Sequence, residues 1–174
     1  LRAKAIIQLG LYMGSRRCDI VSLRFNDIDW QNSTISFVQS KTSYGMSLPM
    51  PDQVANALYQ YIMEERPESE CDTVFVQNKA PFESVSSQVC TSALNRALPQ
   101  RNVYDSGFHV TRKTFATNLI KNKATAEEVM ETLGHRNLSN IREYLSLDDQ
   151  NMIKCPFSLI ERDLRYEGGF PNEQ

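Results

Sequence analysis

The sequence predicts a mainly helical domain with a small antiparallel β-sheet, an α+β fold, from two kinds of pattern. Apolar residues recur at the three- and four-residue intervals of amphipathic helices over several stretches. Thr34 to Gln39 is rich in β-branched and aromatic residues, a turn follows at Thr42 to Gly45, and Met46 to Met50 is a second extended segment. These segments predict one β-hairpin. A chain of 174 residues that is 41% hydrophobic suits one domain with its own core.

The chain begins at Leu1 inside a helical pattern, and we expect it to be a fragment whose N-terminal part is missing. The first helix is mostly apolar, which predicts burial, and Gly14 ends it. A second helical segment lies within Ser15 to Phe25 and carries Arg16 and Arg17 near its start. Two arginines at that position oppose the helix dipole unless an anion is nearby, and the alternative is an exposed pair.

A third helix is predicted from Pro51, because proline is tolerated in the first helical turn. Its inward stripe is Val54, Leu58, Tyr61, Ile62 and Met63. An acidic loop and a short strand at Thr73 to Gln77 follow. A further helix is predicted near Val89 to Leu98, and Pro99 ends it.

The stretch from Phe108 to Tyr144 holds both histidines of the chain, His109 and His135. Its apolar residues recur at helical intervals, which predicts packed helices: Phe115, Leu119, Ile120, Val129, Met130 and Leu133. Thr125 with Glu128 predicts a capping box that begins a helix, and Gly134 predicts its end.

His109 and Arg112 are three residues apart and would project from one face of a helix. A guanidinium fork beside a tunable imidazole suits an anion, and phosphate is the natural candidate. For each residue alone a structural role is the more common one: a histidine at a helix end, or a tyrosine such as Tyr144, usually packs. The interpretation therefore depends on the whole set.

The spacing of His109 to Arg112, then L-G-H at His135, then Tyr144 nine residues on, resembles the tyrosine recombinases, or phage integrases. Three positions depart from the pattern of that family: Thr111 stands where Leu is usual, Lys113 where His or Arg is usual, and Ile141 where Thr is common. None of the three carries a catalytic role in the family.

Two earlier segments also match. Gly14 to Asp29 resembles the family's first box, with Arg16 on its first catalytic arginine and Asp19 in place of the glutamate that supports this arginine. Gln39 to Thr42 resembles the hairpin box, whose lysine, here Lys41, enters the active site. The resemblance implies the integrase-like catalytic domain of a tyrosine recombinase over residues 1–165. The polar, Gly-rich composition of residues 166–174 predicts a disordered tail.

The resemblance also implies a mechanism. Tyr144 attacks a DNA phosphodiester and forms a 3′-phosphotyrosine, which preserves the bond energy and makes ATP unnecessary. His109 takes the proton of this hydroxyl, and Lys41 protonates the leaving oxygen.

The remaining catalytic residues stabilise charge. Arg16 and Arg112 neutralise the non-bridging oxygens, and His135 donates to the same phosphate. No metal or other cofactor is expected. From the sequence alone, Arg112→Ala is expected to slow cleavage at unchanged thermal stability.

The expected partner is double-stranded DNA, although the net charge of −2 counts against a nucleic-acid binder. Basic residues nevertheless concentrate near the motifs, which predicts a basic cleft on an acidic body: Arg16, Arg17, Arg24, Lys41, Arg112, Lys113, Lys121, Lys123 and Arg136. Further DNA contacts are expected from Arg17, Thr42, Lys113 and Arg136.

The amphipathic segment from Met152 to Leu164 either packs on its own domain or docks on a neighbouring protomer of a homo-tetramer on DNA. No apolar run is long enough for a membrane span, and no signal peptide or C-x-x-C pair is present. These features fit a cytoplasmic protein, and the family resemblance implies that it is encoded by a bacterium or phage and associated with the nucleoid.

Several biological roles stay open. The departures at Thr111 and Lys113 favour integration, excision or transposition of a mobile element over a Xer-type resolvase of chromosome or plasmid dimers. A type IB topoisomerase is less favoured, because the L-G-H box and the short spacing from His135 to Tyr144 are typical of recombinases. A catalytically inactive DNA-binding relative is the remote alternative.

Overall fold

Helix α1 lies at the centre of the structure and packs against α3, α4 and α5. The computed structural model describes residues 1–38, 45–100 and 107–134. Its helices are α1 Arg2–Met13, α2 Arg17–Ser22, α3 Asp52–Gln60, α4 Gln88–Ala97, α5 His109–Lys121 and α6 Ala126–Leu133. The predicted mainly helical α+β fold is confirmed. Among the described residues, no helix combines the length and apolar composition that crossing a bilayer requires.

The sheet has three antiparallel strands in the order β1-β2-β3: β1 Ile28–Asp29, β2 Thr34–Val38 and β3 Gly45–Pro49. Ile35 pairs with Ile28 on one side and with Leu48 on the other. The hairpin of β2 and β3 confirms the sequence prediction, whereas β1 was not predicted because two residues are too short to show alternation.

The main core encloses α1, with Ile6, Leu9, Tyr61 and Phe75 fully buried in it. A smaller cluster of Ala116, Val129 and Leu133 packs α5 against α6, with Phe115, Leu119 and Ile120 partly buried beside it. The helical packing predicted for the stretch after Phe108 is therefore confirmed up to residue 134.

The predicted strand at Thr73 to Gln77 is wrong. Its central residues are buried, but the segment makes isolated bridges instead of a ladder, Arg24 with Thr73 and Val76 with Ser84. The physical reason is Arg66, whose guanidinium donates to backbone carbonyls of this segment, including those of Thr73 and Val74, at 3.1 and 3.0 Å.

Met63 was predicted to face the core, but it is 65% exposed. The last turn of α3 continues as a π-helical turn, Tyr61–Glu65, closed by a 2.8 Å hydrogen bond from the Arg66 amide to the Tyr61 carbonyl. Ile62 still packs partly buried against the core, so the predicted inward stripe ends one residue early, within this wider turn.

Candidate active site

Gly14 ends α1 and directs the chain into the site. It adopts the left-handed conformation, with φ 60° and ψ 24°, and its amide donates to the Leu9 carbonyl. A Cβ at this position would lie 2.6 Å from a ring carbon of Phe115. Both the backbone conformation and the close approach of α5 therefore require glycine, as the predicted helix end implied.

Arg16 follows this turn as the N-cap of α2. Asp19 completes a capping box there, since its carboxylate accepts from the Arg16 amide at 3.3 Å. The same carboxylate lies 3.9 Å from the Arg16 guanidinium and is largely buried. Asp19 thus offsets the arginines at the helix start and lies where the resemblance expects a support for Arg16.

Helix α5 approaches α1 closely enough to explain the residue at position 111. Thr111 is fully buried, and its hydroxyl donates to the Phe108 carbonyl at 2.8 Å. A Cβ added at Gly10 would lie 2.5 Å from the Thr111 Oγ1. The departure from the family's usual leucine therefore accompanies a tight crossing of α1 and α5, in which a short side chain fits.

The guanidinium groups of Arg112 and Arg16 converge at the carboxyl end of α6. Arg112 donates to the Gly14 carbonyl at 2.5 Å and to the Leu133 carbonyl. Arg16 donates more weakly to the carbonyls of Leu133 and Gly134, at 3.4 and 3.5 Å. Two cations from separate helices thus share one acceptor, and they lie at the negative end of the α6 dipole.

Helix α6 supplies these acceptors because its ends are well defined. Thr125 and Glu128 form the predicted capping box, with the Thr125 amide donating to the carboxylate at 2.7 Å and the Glu128 amide donating to the Thr125 hydroxyl at 3.2 Å. Gly134 ends the helix in the left-handed conformation, φ 60° and ψ 43°. Both sequence predictions are confirmed.

The other predicted site residues divide into two groups. His109 is the first residue of α5 and is exposed, one turn before the partly buried Arg112, while Arg17 is exposed on α2 and Lys113 is partly buried. Outside the described residues lie Lys41, Thr42, His135, Arg136 and Tyr144, and also the segments 152–164 and 166–174.

One basic residue that the sequence assigned to the predicted cleft pairs with an acidic residue instead. Arg24 does not join the other basic residues, because its guanidinium lies 3.0 Å from the Asp72 carboxylate, and both side chains are exposed. The backbone bridge between Arg24 and Thr73 places this pair at the acidic loop. A sequence count of charges could not anticipate this non-local pairing.

Sequence reasoning also missed residues that line the crevice between the two catalytic-box arginines. Ser15 and Thr132 border it together with Arg16, Asp19 and Arg112. In the sequence, the feature that could have indicated them is their position: Ser15 directly precedes Arg16, and Thr132 directly precedes the L-G-H box. Within the described ranges, no three His, Cys, Asp or Glu side chains are grouped so that they could hold a metal ion.

Comparison with known proteins shows that the chain is similar to phage integrases and tyrosine recombinases. The model of the phage integrase family matches residues 1–151. "Putative integrase/recombinase y4gC" of Sinorhizobium fredii is 31% identical over 155 residues, which cover 87% of this chain and 80% of that protein. A tyrosine recombinase of Thermosipho africanus is 32% identical over 155 residues, which cover 86% of this chain and 51% of the relative.

Solved structures share the fold. The XerA recombinase has a TM-score of 0.71 at 22% identity, over 97% of this chain and 59% of that chain. XerH in a post-cleavage complex with its palindromic difH substrate also has a TM-score of 0.71, at 21% identity, over 88% of this chain and 44% of that chain. The chain thus spans about half the length of these two recombinases.

Proposed function

Because the chain belongs to the phage integrase family, we propose that it is the catalytic domain of a recombinase that cleaves and rejoins DNA through a covalent 3′-phosphotyrosine. The observation that supports this most is the convergence of Arg16 and Arg112, from different helices, on the Leu133 carbonyl oxygen. The residues of two separate sequence boxes thus meet at one acceptor.

An acceptor oxygen held by two guanidinium groups resembles a non-bridging phosphate oxygen in its hydrogen-bonding requirement. Both are acceptors, but the phosphate carries negative charge and forms the stronger, charge-assisted bonds. A phosphate can therefore replace the carbonyls of Leu133 and Gly134 at these donors. Because the two arginines are already oriented towards one point, little reorganisation is needed when charge grows on the phosphate.

The reaction that we propose begins when the Tyr144 oxygen attacks the scissile phosphorus while His109 accepts the phenolic proton. A free tyrosine has a pKa of about 10, so this proton must be removed for attack at neutral pH. The bond from phosphorus to the 5′ oxygen breaks, and Lys41 protonates that oxygen. Rejoining reverses these steps with a 5′ hydroxyl as the nucleophile.

The charge-stabilising residues act on the same phosphate. Arg16 and Arg112 neutralise its non-bridging oxygens, and His135 donates a further hydrogen bond. Asp19 holds Arg16 in place through the capping box and the 3.9 Å ion pair. Protein donors thereby supply the positive charge, so the proposed reaction needs no metal ion or ATP.

Double-stranded DNA is the proposed partner, and a homo-tetramer on DNA, joined through Met152 to Leu164, is the proposed assembly. We place this catalytic domain at residues 1–165, and Arg17, Thr42, Lys113 and Arg136 are its proposed DNA contacts. The proposed role is integration, excision or transposition of a mobile element, in keeping with the relative named as an integrase/recombinase. A Xer-type resolvase is the second candidate, favoured by the XerA and XerH folds.

The test uses the full-length protein that contains this chain and nicked duplexes from the DNA that flanks its gene. A nick beside the scissile phosphate lets a short fragment diffuse away, so the covalent complex accumulates. We expect an SDS-resistant protein–DNA band that forms in EDTA and is absent from Tyr144→Phe, which still binds DNA. DNA binding without a band on these duplexes, but with a band on a distant chromosomal site, would favour the Xer-type role.

A further inference from the structure

Ser15 carries a buried hydroxyl that the proposed reaction has not yet used. The residue is 6% exposed, and its Oγ has no hydrogen-bond partner among the described residues. An unpaired buried hydroxyl costs on the order of 1 to 3 kcal/mol, and each such group in a protein needs an explanation. The position is notable because Ser15 lies between Gly14, whose carbonyl accepts from Arg112, and Arg16.

The crevice that Ser15 borders is the one between the two arginines. The other polar side chains of this crevice are engaged: the Thr132 hydroxyl donates to the Glu128 carbonyl at 2.7 Å, and Asp19 accepts from the Arg16 amide. Its free volume is ≈ 10 Å³, about enough for one water molecule. The guanidinium groups at its edge donate to the Leu133 carbonyl at the end of α6.

We propose that Ser15 is a further catalytic residue, whose hydroxyl donates a hydrogen bond to a non-bridging oxygen of the phosphate bound by Arg16 and Arg112. This inference rests on the proposed function. When phosphate replaces the α6 carbonyls at the guanidinium groups, the crevice widens beside Ser15. The hydroxyl, which has no hydrogen-bond partner among the described residues, then gains an anionic acceptor.

An anion fits this position better than a permanent water molecule does. Two guanidinium groups and one carboxylate, that of Asp19, are among the described residues that border the crevice, so positive charge exceeds negative charge in its lining. A hydroxyl can turn its hydrogen towards whatever acceptor enters. A donor directed at the phosphate also contributes most when charge grows on the oxygens during attack. Ser15 would therefore affect the rate of cleavage more than the affinity for DNA.

The test compares Ser15→Ala with wild type in the full-length protein, on the nicked duplexes that trap the covalent complex. We expect the cleavage rate to fall roughly 10-fold, the loss of one neutral donor. DNA affinity should change less than about 2-fold, and the midpoint of urea unfolding should stay equal or rise, because the variant removes an unpaired polar group.

Thr132→Val is the matched control, because Thr132 borders the same crevice but donates to a backbone carbonyl of its own helix. It should leave the urea midpoint close to that of wild type, because a hydroxyl that bonds back to a carbonyl of its own helix does not stabilise that helix. The cleavage rate should stay within about 2-fold of wild type. Ser15→Cys keeps a weaker donor of similar size and should cleave at an intermediate rate.

Direct contact is tested with duplexes in which one non-bridging oxygen of the scissile phosphate is replaced by a methyl group. On the stereoisomer that lacks the acceptor of Ser15, the rate difference between wild type and Ser15→Ala should disappear, while it should persist on the other isomer. Persistence on both isomers would overturn the proposed contact.

Three other results are decisive. An unchanged rate in Ser15→Ala would assign the hydroxyl to a bound water and overturn the inference. A lower urea midpoint with a lower rate would give Ser15 a structural partner and also overturn it. Absence of a covalent band in wild type would refute the proposed function instead, so the two failures are distinguishable.

Discussion

Arg112→Ala should lower the free energy of unfolding more than Arg16→Ala does, although both arginines are proposed to bind the same phosphate. Arg112 donates to the carbonyls of Gly14 and Leu133 and so connects the ends of α1 and α6. Arg16 makes bonds to the α6 end that lie at the limit of hydrogen-bond length, 3.4 and 3.5 Å. The two side chains therefore contribute unequally to folding.

The magnitude follows from these bonds. A hydrogen bond from a charged donor contributes about 1.5 to 3 kcal/mol, and Arg112 is partly solvent-exposed, so Arg112→Ala should lose about 2 to 4 kcal/mol of unfolding free energy. Arg16→Ala should lose less than about 1 kcal/mol, because its two bonds are long. This replaces the expectation from sequence that Arg112→Ala leaves thermal stability unchanged.

The assay is urea unfolding followed by far-ultraviolet circular dichroism, in parallel with the nicked-duplex cleavage assay. Both alanine variants should lower the cleavage rate by at least about 100-fold, as loss of a preorganised charge donor does. Arg112→Lys is the control: it keeps the charge, but one ammonium cannot span both carbonyls, so about half of the lost stability should return. Equal unfolding free energies for Arg112→Ala and Arg16→Ala would refute this reasoning.

Two further predictions concern the scaffold of the site, and a third concerns the reactivity of two cysteines. Gly14→Ala should lose about 2 to 4 kcal/mol in urea unfolding, from the left-handed backbone and the added methyl group; a loss under about 1 kcal/mol would contradict this. Thr111→Leu, towards the family's usual residue, should lose about 1 to 3 kcal/mol because Gly10 leaves no room, and a stabilised variant would show that the helices can separate. In native protein, iodoacetamide at neutral pH should label Cys71, whose thiol pKa a neighbouring hydroxyl lowers by hydrogen bonding, before Cys90, whose thiol pKa burial raises to about 12. Only the thiolate reacts, so the reverse order by mass spectrometry would contradict these shifts.

Features set by a few neighbouring residues could be predicted from the sequence. Gly14 and Gly134 both end helices in the left-handed conformation, and Thr125 caps α6, because these preferences are local. The strand predicted at Thr73 to Gln77 failed, since its carbonyls are taken by Arg66, a residue outside the segment. An apolar sequence pattern predicts that a segment is buried, and this segment is buried. The pattern does not show which groups form hydrogen bonds with the backbone carbonyls.

Prediction of the site required information about residues that are far apart in the sequence. Spacing placed His109 and Arg112 on one helix, but only the resemblance connected them with Arg16, almost a hundred residues earlier. The contacts of both arginines with the carbonyls at the end of α6 cannot be predicted from the sequence, because every residue has a backbone carbonyl. The sequence also does not show that the Ser15 hydroxyl is buried without a partner among the described residues, because both properties depend on tertiary packing.

The most direct test of the proposed chemistry identifies the residue and the DNA end that become linked. The trapped complex is digested with nuclease and trypsin, and the peptide that retains a nucleotide is sequenced by mass spectrometry. We predict a nucleotide joined through its 3′ phosphate to Tyr144, and a free 5′ hydroxyl on the released strand. A 5′ linkage, or an adduct on any other residue, would contradict the proposed mechanism.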